Sequence, residues 1–171
     1  MGETMTATLR PLEKRDLDNI LSWVNDPTVV GRFGWSERTY TREDEEQYID
    51  TILRSEHDRV YTVEEDGVYI GQAGLHEIDW NNRTARTAVI IGNKAYWGKH
   101  YGESMMEQLV HKGFSELGLR HIYSTIRADN DKVRHICEKI GMREEQQLPS
   151  PYVSHGQSYP MIQLGVYKVT A

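Results

Sequence analysis

The sequence has little cysteine and no long apolar segment. Its one cysteine among 171 residues, Cys137, excludes an internal disulfide and is typical of a protein kept in a reducing compartment. No apolar run approaches the roughly 18 residues that a membrane-spanning helix needs, and the start, MGETMTATLR, contains no apolar core of a signal peptide. We therefore expect a cytoplasmic protein with no membrane partner.

Positive charge and metal-ligand motifs are also scarce. The formal net charge is −6, which argues against a nucleic-acid partner, because such a protein needs a basic face. A negative field is compatible with a cationic amine substrate, although many proteins are acidic simply for solubility. No histidine or cysteine pair has the spacing of metal ligands, so no metal is expected. The length and the 38% apolar content predict one domain over residues 1–171.

Hydropathy patterns predict both helices and strands. Apolar residues recur at helical spacing in 14–25, 41–55, 101–117 and 130–140. Strand patterns cover 6–12, 59–64, 68–78, 84–92, 119–127, 142–148 and 157–168, and Asp66-Gly67 indicates a hairpin. Hairpins dominate the first half, whereas strands and helices alternate in the second. The expected fold class is α/β, with a mixed, mostly antiparallel central sheet flanked by helices.

The segment VIIGNKAYWGKHYGESMM, from Val89 to Met106, joins an apolar strand to a helix through a glycine-bearing loop. Backbone N–H groups at a helix start converge on one place, and the helix dipole adds positive potential there. Glycine lets the backbone approach a phosphate closely. The alternative is an ordinary tight connection with a solvated lysine. The loop matches neither GxxxxGK[ST] nor a dinucleotide-binding GxGxxG.

Four segments resemble the GCN5-related N-acetyltransferase (GNAT) superfamily, in the order of that family. WGKHYGESMM after AVIIGNKAY resembles its acetyl-CoA pyrophosphate loop, and ADNDKVRHICEKIGMREE resembles the block that follows. TLRPLEKRDLDNILSWVNDPTV and HGQSYPMIQLGVYK resemble the first strand and helix and the closing hairpin of the subgroup of ribosomal-protein N-terminal and spermidine acetyltransferases. The resemblance implies an acyl-CoA N-acyltransferase fold that binds acetyl-CoA as co-substrate.

The resemblance also implies a set of cofactor-binding residues. In the family, the strand carrying Val89, Ile90 and Ile91 splays from its neighbour, and its backbone pairs with the pantetheine arm and stabilises the oxyanion. Asn130 is either a helix N-cap or a contact of the pantetheine. The family usually has glycine at the position of His100. Histidine can still hold the pyrophosphate through its backbone N–H there if its φ is negative. The residues expected around the pyrophosphate are Trp97, Gly98, Lys99, His100, Tyr101, Gly102 and Glu103.

The catalytic groups depart from the family pattern. Cys137 stands where many members have a tyrosine assigned as general acid, so it is either a thiol donor or, as we expect, core filler. The candidate bases are Glu77, His76 and Asp79. Relatives often carry a glutamate in the next strand, but Arg86 stands there. Glu77 is therefore the first choice, and its alternative is a solvated carboxylate.

Aromatic residues in predicted loops are candidates for the acceptor site. In the family the corresponding loops wall the acceptor pocket, whereas the alternative is that these rings plug the edge of the core. The residues are Phe33, Trp35, Trp80 and Tyr152.

The expected function is transfer of the acetyl group to a primary amine, of a protein N-terminus or a small molecule, by direct attack. Alternatives are an acetyltransferase for an amino sugar, polyamine or antibiotic, and a non-catalytic acetyl-CoA-binding protein. We also expect that the protein can form a homodimer.

Overall fold

A central sheet organises the computed structural model, which describes residues 7–30 and 39–169. The strands in this part of the chain are β1 (Thr8–Pro11), β2 (Arg59–Glu65), β3 (Val68–Asp79), β4 (Thr84–Ile91), β5 (His121–Arg127), β6 (Arg143–Gln147), β7 (Tyr152–Ser154), β8 (Gln157–Tyr159) and β9 (Met161–Tyr167). Seven form one sheet in the order β1–β2–β3–β4–β5–β9–β6, and β7 pairs with β8 separately. Only β4 and β5 are parallel neighbours in the larger sheet. The predicted mixed, mostly antiparallel sheet is confirmed.

The described helices are α1 (Leu17–Val24), α2 (Pro27–Val30), α3 (Arg42–Arg54), α4 (Tyr101–Ser115) and α5 (Asp131–Lys139). A reciprocal capping box starts α3: the Asp44 N–H donates to Thr41 Oγ1 at 3.1 Å, and the Thr41 N–H donates to Asp44 Oδ2 at 2.8 Å. None of these described helices is long and apolar enough to span a bilayer.

Helices cover both faces of the sheet. On one face, Leu75 and Ile122 of the strands pack in one cluster with Met105 and Leu109 of α4. On the opposite face, strand residues such as Val60 and Ile90 pack in a second cluster with α1 and α3. Because side chains alternate along a strand, β4 contributes Ile90 to the second cluster and its neighbours to the first.

A V-shaped opening lies between β4 and β5. These parallel strands pair only from Thr84–His121 to Arg86–Tyr123. Beyond that last pair, β4 continues to Ile91 and β5 to Arg127 without further pairing to each other. The splay inferred from the resemblance is therefore present, and it leaves one backbone edge of β4 facing a gap.

Some element boundaries differ from the predictions. The predicted strand 157–168 is two strands, β8 and β9, because Pro160 between them has no N–H for a ladder hydrogen bond. The predicted helix 14–25 begins as a 3₁₀ turn, Lys14–Asp16, before α1. Helix α2 was not predicted: its Thr28 N–H donates to Asp26 Oδ1 at 2.9 Å. Thr6, the start of the first predicted strand, lies outside the described residues.

Candidate active site

The edge of β4 beyond Arg86 forms one wall of the V-shaped opening. Thr87 and Ser124 hydrogen-bond to each other through their hydroxyls just past the vertex. The next residues include Val89 and Ile91, which pack against the α4 side of the sheet. Their side chains are thus used in the core while the backbone edge faces the gap, as the sequence led us to expect for a strand that pairs with pantetheine.

The loop after β4 is held to the strand end by two side chains. Trp97 Nε1 donates to the Ile91 carbonyl at 2.9 Å. Asn93 Nδ2 donates to the Tyr69 carbonyl at 2.9 Å, and Asn93 Oδ1 accepts from the Ala95 N–H at 3.1 Å. These bonds fix where the chain turns into α4. The loop thereby places a helix N-terminus at the open end of the V.

His100 adopts a left-handed conformation. Its φ is +66°, and Gly98 has φ +73°. The condition expected for His100, a negative φ, is not met, and its role at the pyrophosphate stays a prediction. The loop keeps the backbone conformation that glycine favours, and the histidine adopts it at a cost of about 1–2 kcal/mol. The Ser104 N–H donates to the His100 carbonyl at 3.3 Å, so the preceding N–H groups lie beyond the helical ladder.

Gly102 lies in the first turn of α4, where little contacts it. A Cβ added there would meet Ile91 Cδ1 at 3.7 Å and Ile136 Cδ1 at 4.0 Å, which is ordinary contact. The site therefore tolerates a small side chain in the protein itself. Lys99 is exposed, Tyr101 packs edge-on against the Tyr96 ring, and Glu103 pairs with Lys139 at 3.4 Å. An acyl-CoA fits this arrangement if its pyrophosphate lies at the loop. The fit rests on the unpaired backbone edge of β4, the positive φ angles of Gly98 and His100, and the N–H groups at the start of α4 that have no partner in the helix.

Asn130 caps α5. Its Oδ1 accepts from the Val133 N–H at 3.2 Å, so the N-cap alternative is confirmed. The predicted contact between Asn130 and pantetheine stays a prediction.

Cys137 is completely buried in the core on the α4 side of the sheet. Burial raises the pKa of the thiol, and hydrogen bonding to Ser124 offsets this only in part. Ser124 in turn contacts Thr87 at the vertex of the V. The thiol thus lies behind the vertex rather than in an open site, which supports its interpretation as core filler.

A cavity of about 700 Å³ lies on the other face of the sheet, between the strands and helices α1 and α3. Its lining includes Gly74, His76, Arg86 and Ala88 from β3 and β4. Since Arg86 belongs to the last pair before the splay, the cavity floor reaches the vertex of the V. An acceptor held in this cavity and an acyl group held in the V would meet there.

The helices contribute acidic and aromatic side chains to the cavity. The aromatic residues are Trp23, Tyr40 and Tyr48, and the acidic residues are Asp44 and Glu45. Burial raises the pKa of Tyr48 to about 12, with contributions from the negative charges of Glu45 and Asp58. The cavity is therefore negatively charged on its α3 side.

His76 and Asp58 form a close pair beside this cavity. His76 Nδ1 lies 2.6 Å from Asp58 Oδ1, and the Ser55 hydroxyl donates to Asp58 Oδ2 at 2.6 Å. Burial raises the pKa of Asp58, but hydrogen bonds from Ser55 and His76 and the nearby histidine charges outweigh it, so the pKa lies below its ordinary value. Sequence reasoning named His76 as a candidate base but missed Asp58, since nothing local relates residues 18 positions apart.

Glu77 occupies a β-bulge. The register of β3 against β4 shifts between His76 and Asp79, and Glu77 has φ +52°. The bulge turns its carboxylate toward Arg86, whose Nε lies 3.2 Å away, and toward the Tyr123 hydroxyl at 3.3 Å. Its side chain is 64% exposed, and Glu77 does not line the cavity. Its predicted role as base stays a prediction.

Two of the predicted acceptor aromatics, Trp80 and Tyr152, lie away from this cavity. Trp80 donates its indole N–H to the Glu56 carbonyl at 2.7 Å and lies 5.6 Å from the Arg59 guanidinium. Tyr152 packs against Tyr159 of the β7–β8 hairpin. Neither lines the cavity. Phe33 and Trp35 lie outside the described residues.

The match to known proteins agrees with this geometry. The model of the acetyltransferase (GNAT) domain family matches residues 7–143, so this chain belongs to the GNAT family. It is an acetyl-CoA-dependent N-acetyltransferase with the acyl-CoA N-acyltransferase fold.

Its relatives include acetyltransferases of known substrate. Spermidine N(1)-acetyltransferase of Escherichia coli K12 is 28% identical over 169 residues, covering 98% of this chain and 89% of the relative. The corresponding enzyme of Vibrio cholerae is 28% identical over 152 residues, covering 88% of this chain and 86% of the relative. The crystal structure of a Vibrio cholerae spermidine N-acetyltransferase with CoA and spermine superposes with a TM-score of 0.87 at 23% identity, over 95% of each chain.

Proposed function

We propose that this enzyme acetylates a primary amine of a polyamine or of a similarly small, cationic amine. The observation that carries the proposal is the cavity of about 700 Å³ that opens onto the vertex of the V. A volume of this size suits a small molecule. It is closed by α1 and α3 on one side and by the sheet on the other.

The charge of the cavity supports a cationic acceptor. Asp44 and Glu45 line it on α3. The rings of Tyr40 and Tyr48 add surfaces on which an alkylammonium group can lie. An elongated amine can then keep a second positive charge near α3 while its reacting nitrogen reaches the vertex.

The relatives support the same substrate class. The two curated enzymes named above act on spermidine, and the superposed structure holds spermine and CoA. When bound, acetyl-CoA supplies an activated thioester. For this chain we propose that the edge of β4 at Val89–Ile91 pairs with pantetheine and that the N–H groups of 98–102 bind the pyrophosphate.

The substrate class is tested by thiol release with a panel of amines. The panel contains spermidine, spermine, putrescine, an amino sugar and a short peptide with a free N-terminus. We expect the highest kcat/KM for a polyamine. A clear preference for the peptide or the amino sugar would overturn the polyamine assignment while leaving N-acetylation in place.

A matched pair of α3 variants tests the acidic wall. Glu45→Gln keeps the shape of a residue that lines the cavity but removes its charge, and we expect KM for spermidine to rise about tenfold, as for the loss of a charge-assisted hydrogen bond. Glu43→Gln is the control, because Glu43 is exposed and does not line the cavity. Equal KM values for both variants would contradict the role of Glu45.

We also propose that residues 1–171 act as a single domain in the cytoplasm and associate as a homodimer. The lone cysteine supports the location. Light scattering of the purified protein measures the assembly directly.

A further inference from the structure

Three side chains from separate parts of the chain form a linked series at the wall of the acceptor cavity. Ser55 follows α3, Asp58 precedes β2 and His76 belongs to β3. Asp58 accepts hydrogen bonds from the other two at 2.6 Å each. Because an ionised carboxylate can only accept, His76 Nδ1 carries the proton. The lone pair of the neutral imidazole is therefore on Nε2.

The position of Nε2 is set by Gly74. A Cβ added to Gly74 would lie 2.7 Å from His76 Nε2, so the imidazole occupies the space that any other residue would fill. Gly74 and His76 both line the cavity. Within residues 7–30 and 39–169, Nε2 makes no hydrogen bond. It is a proton acceptor at the floor of the cavity, in a side chain that is only 17% exposed.

His76 also lies beside the vertex of the V. It is paired across the strands with Arg86, and Arg86 is paired with Tyr123 where β4 and β5 separate. His76 is therefore one strand away from the vertex, and both it and Arg86 line the cavity through which we expect the amine to reach the acyl group.

Charges on every neighbouring element bear on the protonation of His76. Helix α3 contributes Asp44, Glu45 and Tyr48, and β4 contributes Arg86. The segment before β2 contributes Asp58 and His57, whose Nδ1 is 2.8 Å from the Ile78 carbonyl. On β3, Glu77 is paired with Arg86. That pair is neutral overall, and Asp58 is the carboxylate in direct contact with the imidazole.

Glu77 is less suited to accept the proton. Its carboxylate is paired with the Arg86 guanidinium and accepts from the Tyr123 hydroxyl. Both contacts are made to the same carboxylate oxygen, Oε2, which already has two partners. It is also largely exposed, whereas His76 is in the cavity wall.

We propose that His76, oriented by Asp58, is the general base of the acetyl transfer. His76 Nε2 takes a proton from the acceptor ammonium, and the imidazolium is held by Asp58. The freed nitrogen lone pair attacks the thioester carbonyl carbon. The C–N bond forms, the C–S bond breaks with its electron pair leaving on sulfur, and the second nitrogen proton neutralises the thiolate. His76 then releases its proton to solvent. The assignment rests on the proposed use of an amine acceptor.

His76→Asn and Asp58→Asn are the primary tests. An asparagine at position 76 can still donate to Asp58 but has no acceptor in the place of Nε2. We expect kcat to fall about 10²-fold or more, with the thermal shift produced by acetyl-CoA unchanged. In Asp58→Asn the imidazolium loses its partner charge, so the acid limb of kcat/KM moves to lower pH.

The control is Glu43→Gln, an exposed residue that does not line the cavity, for which we expect wild-type kcat and an unaltered acid limb. Glu77→Gln tests the other candidate base, and we expect it to lose far less kcat than His76→Asn. Rates are measured between about pH 6 and pH 10, with whichever amine the wild-type enzyme turns over best. The test therefore stands even where that amine is not a polyamine. A folded His76→Asn protein with near wild-type kcat, or with the wild-type acid limb, would overturn the proposal. A large loss of kcat in Glu77→Gln, together with a wild-type kcat in His76→Asn, would also overturn the proposal.

Discussion

At the scale of single residues, Cys137 stands where many family members have a tyrosine, but its thiol is in the core. The thiol is fully buried on α5, and burial raises its pKa. A protonated, enclosed thiol packs as a small apolar group. The hydrogen bond to Ser124 is its only polar link toward the vertex among the contacts the structure describes.

We expect Cys137→Ala to lower the free energy of unfolding by about 1–2 kcal/mol, since it leaves a small cavity, while kcat changes less than about threefold. Urea unfolding and thiol release measure the two quantities. Cys137→Tyr is expected to overpack α5 at a further cost of about 1–3 kcal/mol. A fall in kcat of at least ~10-fold in well-folded Cys137→Ala would instead identify the thiol as a general acid.

At Gly102, the effect of a substitution on stability can be separated from its effect on acetyl-CoA binding. The structure leaves ordinary contact distances around an added Cβ. Alanine is also a better helix former than glycine by about 1 kcal/mol.

Gly102→Ala is therefore expected to keep or raise the melting temperature of the free protein while weakening acetyl-CoA binding, because the proposed pyrophosphate site includes this backbone position. Calorimetric titration with acetyl-CoA measures this. Ser115→Ala, at the far end of α4, serves as the control. Unchanged affinity in Gly102→Ala would place the pyrophosphate elsewhere.

At the scale of elements, the start of α5 combines a cap with a predicted cofactor contact. Asn130 Oδ1 is already used by the Val133 N–H, which leaves the amide nitrogen as the group that would contact pantetheine. Aspartate caps a helix about as well as asparagine does. Exchanging the two can therefore remove the amide without uncapping the helix.

For Asn130→Asp we expect stability within about 0.5 kcal/mol of wild type and a raised KM for acetyl-CoA. Asn130→Ala should lose about 1 kcal/mol of stability as well. Thermal unfolding and initial rates distinguish these outcomes. A wild-type KM for acetyl-CoA in Asn130→Asp would show that Asn130 only caps the helix and does not contact pantetheine.

At the scale of the whole molecule, a buried ion pair joins the first strand to the first helix. Asp16 is fully buried and accepts from Arg10 Nη2 at 2.6 Å and from Thr62 Oγ1 at 2.8 Å. Burial raises the pKa of Asp16, but the hydrogen bonds from Arg10, the Glu13 backbone and Thr62 outweigh this, so the pKa lies below its ordinary value. The carboxylate form thus stabilises the folded chain.

Because the folded pKa is depressed, this stability is present above the ordinary aspartate pKa of about 3.9 and is lost as the pH falls below it. We expect the free energy of unfolding to drop between about pH 5 and pH 2. Asp16→Asn should cost about 3 kcal/mol at neutral pH and flatten that pH dependence. Denaturant unfolding of Asp18→Asn, an exposed neighbour, is the control, with a change of at most about 0.5 kcal/mol. Equal pH profiles for wild type and Asp16→Asn would show that other carboxylates dominate.

Features that depend on neighbouring residues follow from the amino-acid sequence alone. The Thr41–Asp44 capping box, the Asp66-Gly67 turn and the strand–loop–helix at 89–106 are local, since capping, turn chemistry and hydropathy period operate over a few residues. The order of the resembling segments was sufficient to predict the family and its co-substrate.

Contacts between residues far apart in the chain are visible only in the folded protein. Asp58 and His76 become partners because the β2–β3 hairpin folds one strand back on the other, and Glu45 faces them because α3 packs over that sheet face. Glu77 is turned away by a bulge, and His100 takes a left-handed φ that the sequence led us not to expect. Such positions follow from strand register and helix packing, which are set by burial across the whole chain rather than by any local pattern.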